Sequence, residues 1–498
     1  MIPSVLLTAI IFLSAIACVV VLVLPDRTDD ERGRIRGLGL FASGVQMFLV
    51  LGFGIFVQIG LAEGGGQQSA NEETHQWFHS FGFSSGYHLQ ADGISLVLLL
   101  LATVVFFSVF VHAWRIRERV RLYVALLLLM ETAVNGVLCA SDYILFLLFW
   151  GMMIVPLYVL LRVWGGDARG RAAGRFLVFA LTSYALLVLA VLLVIVRAGQ
   201  HSADMTQDFQ NLAGPVAQAG FWLTLAAFGI ALGAFPAHRW LIDAQSDASP
   251  GVAAVLTGVV SKLGAYGLMR VAIGQFPGPA HQYSLVIVAL AVVGAVWGAL
   301  GALARDDARR VVGYSNLAQV SLLVLAAGTQ TSIALVGAVL FALAQGFGVS
   351  MLILLLGALE ERVRSHTLSE LGGLVAAAPR LAMFWWFAVF TVIGVPLLAG
   401  FSAIVLLFTG AFPAHRIATV LVLATLVVTT GGLLLAGHRI FFGQLRESLQ
   451  RVRDVGALEL SYLVPIAAMI VFIGVRPGAL TPVITNGVIE ITTRLSGG

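Results

Sequence analysis

Apolar stretches of about 20 residues recur from one end of this chain to the other, and no other feature constrains its fold as much. Each is long enough to cross roughly 30 Å of hydrocarbon as a helix. A membrane strand alternates apolar and polar side chains over about 10 residues, whereas Leu96 to Phe107 is apolar on nearly every face. The chain therefore reads as an all-α, polytopic membrane protein. Only 11% of its 498 residues are charged, less than half the roughly one quarter typical of soluble domains, which excludes a soluble globular enzyme. Hydropathy gives about 14 spans, beginning near residues 3, 37, 91, 122, 143, 176, 219, 251, 283, 311, 331, 381, 417 and 457.

Orientation follows from arginine. The loops after the odd-numbered spans hold 23 of the 28 arginines, so by the positive-inside rule they face the cytoplasm and both termini face the other side. The expected location is a bacterial inner membrane. The two longest loops, Glu63 to Leu89 and Gly199 to Pro215, fall on the outer side and read as solvated connections or docking surfaces. Met1 to Leu24 lacks a basic leader and a small-residue cleavage site, which fits a retained first helix. Arg476 to Leu495 is too short and polar for another span, and reads as a segment on the membrane surface or against a neighbour. Cys18 and Cys139 both lie in apolar runs, so neither a disulfide framework nor a Cys-ligated centre is expected. The net charge of +4 comes from loop arginines and implies no nucleic-acid partner.

Two spans carry a break. The seventh reads Phe228-Gly-Ile-Ala-Leu-Gly-Ala-Phe-Pro-Ala-His-Arg-Trp240 and the twelfth reads Phe390-Thr-Val-Ile-Gly-Val-Pro-Leu-Leu-Ala-Gly-Phe-Ser402. Pro236 and Pro396 each remove a helix hydrogen bond, and the nearby glycines let the chain unwind. Matching broken helices in two halves of a chain point to a transporter with repeated halves and a site near mid-membrane.

Of 29 Lys and Arg residues only one is a lysine, Lys262, about 10 residues into an apolar span. A cation there costs at least about 2.5 kcal/mol. Arginine cannot be deprotonated in a protein, whereas a buried lysine can, so a site that must gain and lose a proton needs the lysine. The plainer alternative is a structural lysine held by a carboxylate or by carbonyls. Glu131 is the one carboxylate deep in an apolar span, with Asn135 one turn on, and is the natural partner of Lys262. A protonated Glu131 hydrogen-bonded between helices is the alternative. Asp243 and Asp247 follow His238 and Arg239 after the first break, as a proton entrance or a solvated charge cluster. His75, His79, His88, Glu72 and Glu73 share one loop, but their spacing matches no standard zinc site, so no metal is expected. There is no Walker loop, nucleophile elbow or dinucleotide fingerprint, and no cofactor is expected in this chain.

The segment Phe235-Pro-Ala-His-Arg-Trp-Leu-Ile-Asp-Ala-Gln-Ser-Asp-Ala-Ser-Pro250, continuing to Ser261-Lys-Leu-Gly-Ala-Tyr-Gly-Leu-Met-Arg270, resembles the antiporter-like subunits of respiratory complex I, the M chain most of all. Further matches are Ala91-Asp-Gly-Ile-Ser-Leu96, Leu147-Leu-Phe-Trp150 with Val155-Pro-Leu-Tyr158, Trp164-Gly-Gly166, Arg310-Val-Val-Gly-Tyr-Ser315, and Leu371-Gly-Gly373 with Pro379. The resemblance implies 14 helices with two inverted five-helix repeats, residues 114–272 and 273–441, between an N-terminal section 1–113 and a last helix with its tail, 442–498. It also implies proton movement along a polar axis that includes Gln319 and Gln345, driven by NADH- and quinone-linked electron transfer in other subunits. The implied partners are those subunits and lipid. Lys262 falls on the family's lysine of span 8, and Glu131 on a glutamate of span 4.

Several family charges are replaced. Gly151 stands for a glutamate, Ala231 for a lysine and Ile404 for a glutamate; Gln245, Gln319 and Gln345 stand for histidines, and Arg309 for a lysine. A proton route copied from the family therefore cannot run unchanged. Three readings stay open: a proton-translocating subunit acting through Lys262, a non-pumping structural subunit, or a subunit of a related complex such as a membrane-bound hydrogenase or an inorganic-carbon uptake system.

Overall fold

The computed structural model describes residues 5–62, 72–80, 83–197, 203–206, 214–446, 449–450 and 452–496. It is predominantly helical. Helices α1 (Leu6–Val23) and α2 (Asp29–Ala62) are followed by a hairpin of β1 (Glu72–Ser80) and β2 (Phe83–Gln90). Then come α3 (Gly93–His112), α4 (Val120–Cys139), α5 (Tyr143–Met152), α6 (Ile154–Trp164), α7 (Arg169–Arg197), α8 (Pro215–Leu232), α9 (Arg239–Asp247), α10 (Pro250–Val255) and α11 (Ser261–Gly267). The chain continues through α12 (Pro277–Gln282), α13 (Ser284–Leu303), α14 (Ala308–Thr329), α15 (Ser332–Val363), α16 (Pro379–Ile393), α17 (Ala399–Ala414), α18 (Arg416–Phe441), α19 (Ala457–Val475) and α20 (Thr481–Ser496).

Among the described residues, 13 helical stretches are long and apolar enough to span a membrane, and the shorter apolar pair α16 and α17 occupies the twelfth of 14 positions. The α5–α6 and α10–α11 stretches count as one span each. This is a multi-pass membrane protein. The bundle has an inside and an outside: α3, α14 and α15 are almost wholly buried, whereas α1, α7, α18 and α19 turn bare Val, Ile, Leu and Phe outward. Helix caps follow from sequence. Asp92 accepts from Ser95 N at 2.8 Å, Asp142 from Ile144 N at 2.9 Å and Asp307 from Arg309 N at 2.9 Å, each satisfying a donor left free at a helix start.

Two segments differ from expectation. The loop before α3 forms an antiparallel hairpin, Glu72 opposite Gln90 and His75 opposite Tyr87, with an irregularity between Gln76 and Phe78. It is fastened at several points. Glu73 accepts from Leu7 N at 2.7 Å, Ser85 donates to Asp142 at 3.0 Å, and His88 lies between Glu72 at 2.8 Å and Asp204 at 3.3 Å. The first part of that loop, and most of the loop between α7 and α8, lie outside the described residues. The C-terminal segment is the second difference: α20 packs against α3 and α15 of its own chain, and His281 Nε2 meets Leu495 O at 2.8 Å. Helix α20 is thus part of the bundle.

Candidate functional site

The two breaks have the same construction. Helix α8 stops at Leu232 with Gly233 in a left-handed conformation (φ 71°), three residues before Pro236; α16 stops at Ile393 with Gly394 (φ 81°), two before Pro396. A positive φ suits glycine and ends the helix, and the proline prevents it from resuming at once. Carbonyls freed by such a break need partners, and Trp240 Nε1 supplies one to Ile230 O at 2.8 Å. Beside the first break Gly264 of α11 comes so close to the Leu232 backbone that a Cβ would not fit. Beside the second, Gly348 of α15 lies against Val392.

Between these contacts runs a line of polar side chains with Lys262 at its centre, 1% exposed. Lys262 sits in α11, flanked by wide π-helical turns at Leu256–Val260 and Leu268–Ile273. Single π turns inside helices are rare and recur at functional sites. Its Nζ donates to Thr257 O at 3.1 Å, Ser261 Oγ at 3.1 Å and Asn316 Oδ1 at 3.5 Å. Three oxygens face the three N–H bonds of an ammonium, and all three are neutral. Among the described residues no carboxylate lies within ion-pair distance of Lys262. On one side Thr257 Oγ1 donates to Gln245 Oε1 at 3.2 Å; on the other Gln345 Nε2 donates to Asn316 Oδ1 at 2.8 Å. Gln319, one turn beyond Ser315 on α14, has neither amide atom bonded, and Gln345 Oε1 and Ser315 Oγ are also without protein partners. Buried polar atoms in such numbers call for bound water.

Glu131 is not the partner of Lys262. It is fully buried on α4, where it accepts from Ser14 Oγ of α1 at 2.8 Å and Ser43 Oγ of α2 at 2.7 Å, with Gln46 bonded to Ser14 at 2.6 Å. Its contacts run to the first two helices. His238 and Asp243 line a different space, a cavity of about 970 Å³ near the arginine-bearing loops, together with Arg171, Arg175, Asp247 and His366. Asp243 forms an ion pair with Arg175, and the His238 ring stacks on Phe235 with centroids 5.7 Å apart. Burial pushes the Asp247 carboxyl above its usual range, against the hydrogen bond it accepts from Ala168 N.

The replaced family positions are equally definite. Ala231 and the neighbours of Gly151 line an apolar cavity of about 40 Å³ walled by Trp150, Phe176, Ile230 and Val260. Its Ser183 hydroxyl is already bonded to Ala227 O at 2.8 Å. The Ile404 side chain packs against Gly394 at the second break. Arg309 forms an ion pair with Glu360 and donates to Ser246 O at 2.6 Å, so it faces the arginine-bearing loops and not the lysine. Sequence reasoning missed Thr257, Ser261 and Asn316. Thr257 and Ser261 stand five and one residues before Lys262, a nearness that could have drawn attention, but nothing in the sequence marks Asn316.

Two interrupted helices, with a lone buried lysine and a water-demanding polar line between them, define an antiporter-like membrane subunit. Residues 140–430 match the family described as NADH:quinone oxidoreductase/Mrp antiporter, transmembrane, and the chain belongs to that family. It is 32% identical over 423 residues to NAD(P)H-quinone oxidoreductase chain 4 3 of Picosynechococcus sp., covering 81% of this chain and 72% of that one. Over 437 residues it is 28% identical to the F(420)H(2) dehydrogenase subunit M of Methanosarcina mazei, covering 85% and 87%. A chain of respiratory complex I from Thermus thermophilus shares the fold with a TM-score of 0.85 at 23% identity, covering 98% of this chain and 99% of that one.

Proposed function

We propose that this chain is a proton-translocating subunit in the membrane arm of a quinone-linked respiratory complex, and that Lys262 is the group that gains and loses the proton. The observation that carries this is the lysine's cradle: three neutral oxygens for its three N–H bonds, and no counter-ion among the described residues. A site built to keep a charge permanently pairs it with a carboxylate. A site built to release a proton needs hydrogen bonds without that anchor.

The proton is taken up from the cavity lined by His238 and Asp243 and reaches Lys262 by way of Gln245 and Thr257. It moves on along Asn316, Gln345 and Gln319 through water, since a carboxamide does not titrate. Glu131 is a second proton-holding group, apart from Lys262 and held by Ser14 and Ser43. Pro236 and Pro396 shape the breaks in two inverted repeats, residues 114–272 and 273–441, with 1–113 before them and 442–498 after. The arginine-rich loops face the cytoplasm of a bacterial cell, and both termini lie on the outer side of the inner membrane. The chain carries no recognised redox motif, so other subunits supply the driving reaction; the relatives are named for NAD(P)H-quinone and F(420)H(2) oxidoreduction.

A second reading has its own support. The apolar cavity at Ala231, where the resemblance implies an ion pair, favours a subunit kept as a scaffold in such an assembly, or in a related complex. Proton translocation by the intact complex in proteoliposomes separates the two. Lys262→Met fills similar volume without a charge and is expected to lower the protons moved per electron with assembly intact. An unchanged ratio would leave the scaffold reading.

A further inference from the structure

The lysine line makes no use of His112, a base at 2% exposure in the last turn of α3. Its ring stands edge-on to Tyr462 of α19, centroids 5.5 Å apart, and its Nδ1 has no hydrogen-bond partner. The Tyr462 hydroxyl is without a protein partner too, while the hydroxyls of Tyr123 on α4 and of Ser249 just before α10 lie against each other. Tyr123 and Tyr462 are buried to 1% exposure or less. These atoms converge. The side-chain position that Gly251 leaves vacant lies 3.1 Å from Tyr123 Oη and 3.2 Å from His112 Nδ1, and the Tyr123 hydroxyl faces Ser249.

Ion pairs flank the pocket at its arginine-rich end. Glu459 of α19, 1% exposed, accepts from Arg115 at 2.7 Å and from Arg362 at 2.6 Å, and Arg115 also pairs with Glu361. The charged and titratable groups around His112 are thus Arg115 next to its own helix, Tyr123 on α4, Glu361 and Arg362 at the end of α15, and Glu459 and Tyr462 on α19. None of them lines the large cavity at His238.

Buried polar groups without protein partners are satisfied by water, and a buried water needs two to four polar neighbours. We propose that His112, Tyr123, Ser249 and Tyr462 enclose a buried water site, and that His112 takes up a proton there. The proton arrives from the aqueous phase through the bound water, adds to the free ring nitrogen and returns to that water on release. Ser249 lies four residues beyond Gln245, where the lysine line begins, so the site is a second point of proton uptake on the arginine-rich side. That last role rests on the reading of Lys262 as the proton-exchanging group; the water site does not.

The intact complex provides the test. A map that resolves water is expected to hold water within hydrogen-bond distance of His112 Nδ1 and Tyr123 Oη; empty space, or a direct bond from His112 Nδ1 to a side chain, overturns the proposal. Tyr462→Phe removes a buried hydroxyl that has no protein partner; it is expected to lower the thermal midpoint where that hydroxyl binds water, whereas in a dry pocket it would raise the midpoint or leave it alone, which also overturns the site. His112→Asn is expected to cause a loss of protons moved per electron at unchanged electron transfer. A retained ratio, beside a lowered ratio in Lys262→Met, overturns the proton role of His112. If both variants keep the ratio, the function proposed above has failed, and the water map still decides the site.

Discussion

Ala231→Lys restores the lysine that the family resemblance implies, yet it is expected to harm this protein. Ala231 borders the 40 Å³ cavity, which by volume could take a water or two. Two of its polar wall groups are already engaged, Ser183 with Ala227 O and Trp240 with Ile230 O, and the third, the Trp150 indole, can only donate, so the wall offers an ammonium no free acceptor. A lysine at the centre of a span costs about 2.5–3.5 kcal/mol on insertion scales, and a buried charge without its partner about 3–5 kcal/mol. The insertion figure is for the whole side chain, so it already includes what the apolar lysine stem recovers by burial. Adding Gly151→Glu supplies a counter-charge but pushes a Cβ to 3.1 Å from the Tyr184 ring, which must then shift. The double variant is therefore expected to recover part of the loss. The thermal midpoint of the purified assembly reads both effects. A wild-type midpoint for Ala231→Lys alone would mean that water or a polar group reaches the cavity, and would refute the reasoning.

Glu131→Gln keeps an oxygen and an amide between Ser14 and Ser43 and is expected to assemble normally, whereas Glu131→Ala orphans the buried Ser43 hydroxyl, Ser14 keeping its bond to Gln46, and costs about 1–3 kcal/mol; thermal midpoints compare the two. At the hairpin, burial alone would lower the His88 pKa, but its hydrogen bond to Asp204 and the charges of Asp204 and Glu72 outweigh that and hold it above the ordinary value. A raised folded-state pKa gives stability that is full below the unfolded pKa of about 6.5 and lost as pH rises through the folded value. Protection factors in residues 85–90, which divide out the intrinsic rise of amide exchange with pH, are expected to be highest at acid pH and to fall through that window, and His88→Gln should abolish the fall.

The spans were legible because hydrocarbon forces both length and apolarity on every crossing helix, and the breaks because Gly and Pro announce them at 233–236 and 394–396. The hairpin was not legible. Its first strand, Glu72 to Ser80, is polar and His-rich, and the two strands together are held by Leu7, Asp142 and Asp204, three contacts distant in the chain. The place of helix α20 was not legible: its 16 residues are too few to span, as its length implied, but the cover it finds comes from α3 and α15, far off in the chain. Lys262 stood out as a lone lysine, but its third oxygen comes from Asn316, 54 residues away. Pairing Lys262 with Glu131 followed charge complementarity alone, and two serines on α1 and α2 met the carboxyl's needs instead.

Lys262→Arg tests the central claim most directly. Arginine keeps the positive charge and can reach the same oxygens, but it cannot give up its proton. Protons moved per electron by the intact complex in proteoliposomes, measured at matched electron-transfer rates, should fall in this variant as far as in Lys262→Met. A ratio equal to wild type would mean that a fixed charge suffices at this position and that Lys262 does not exchange protons.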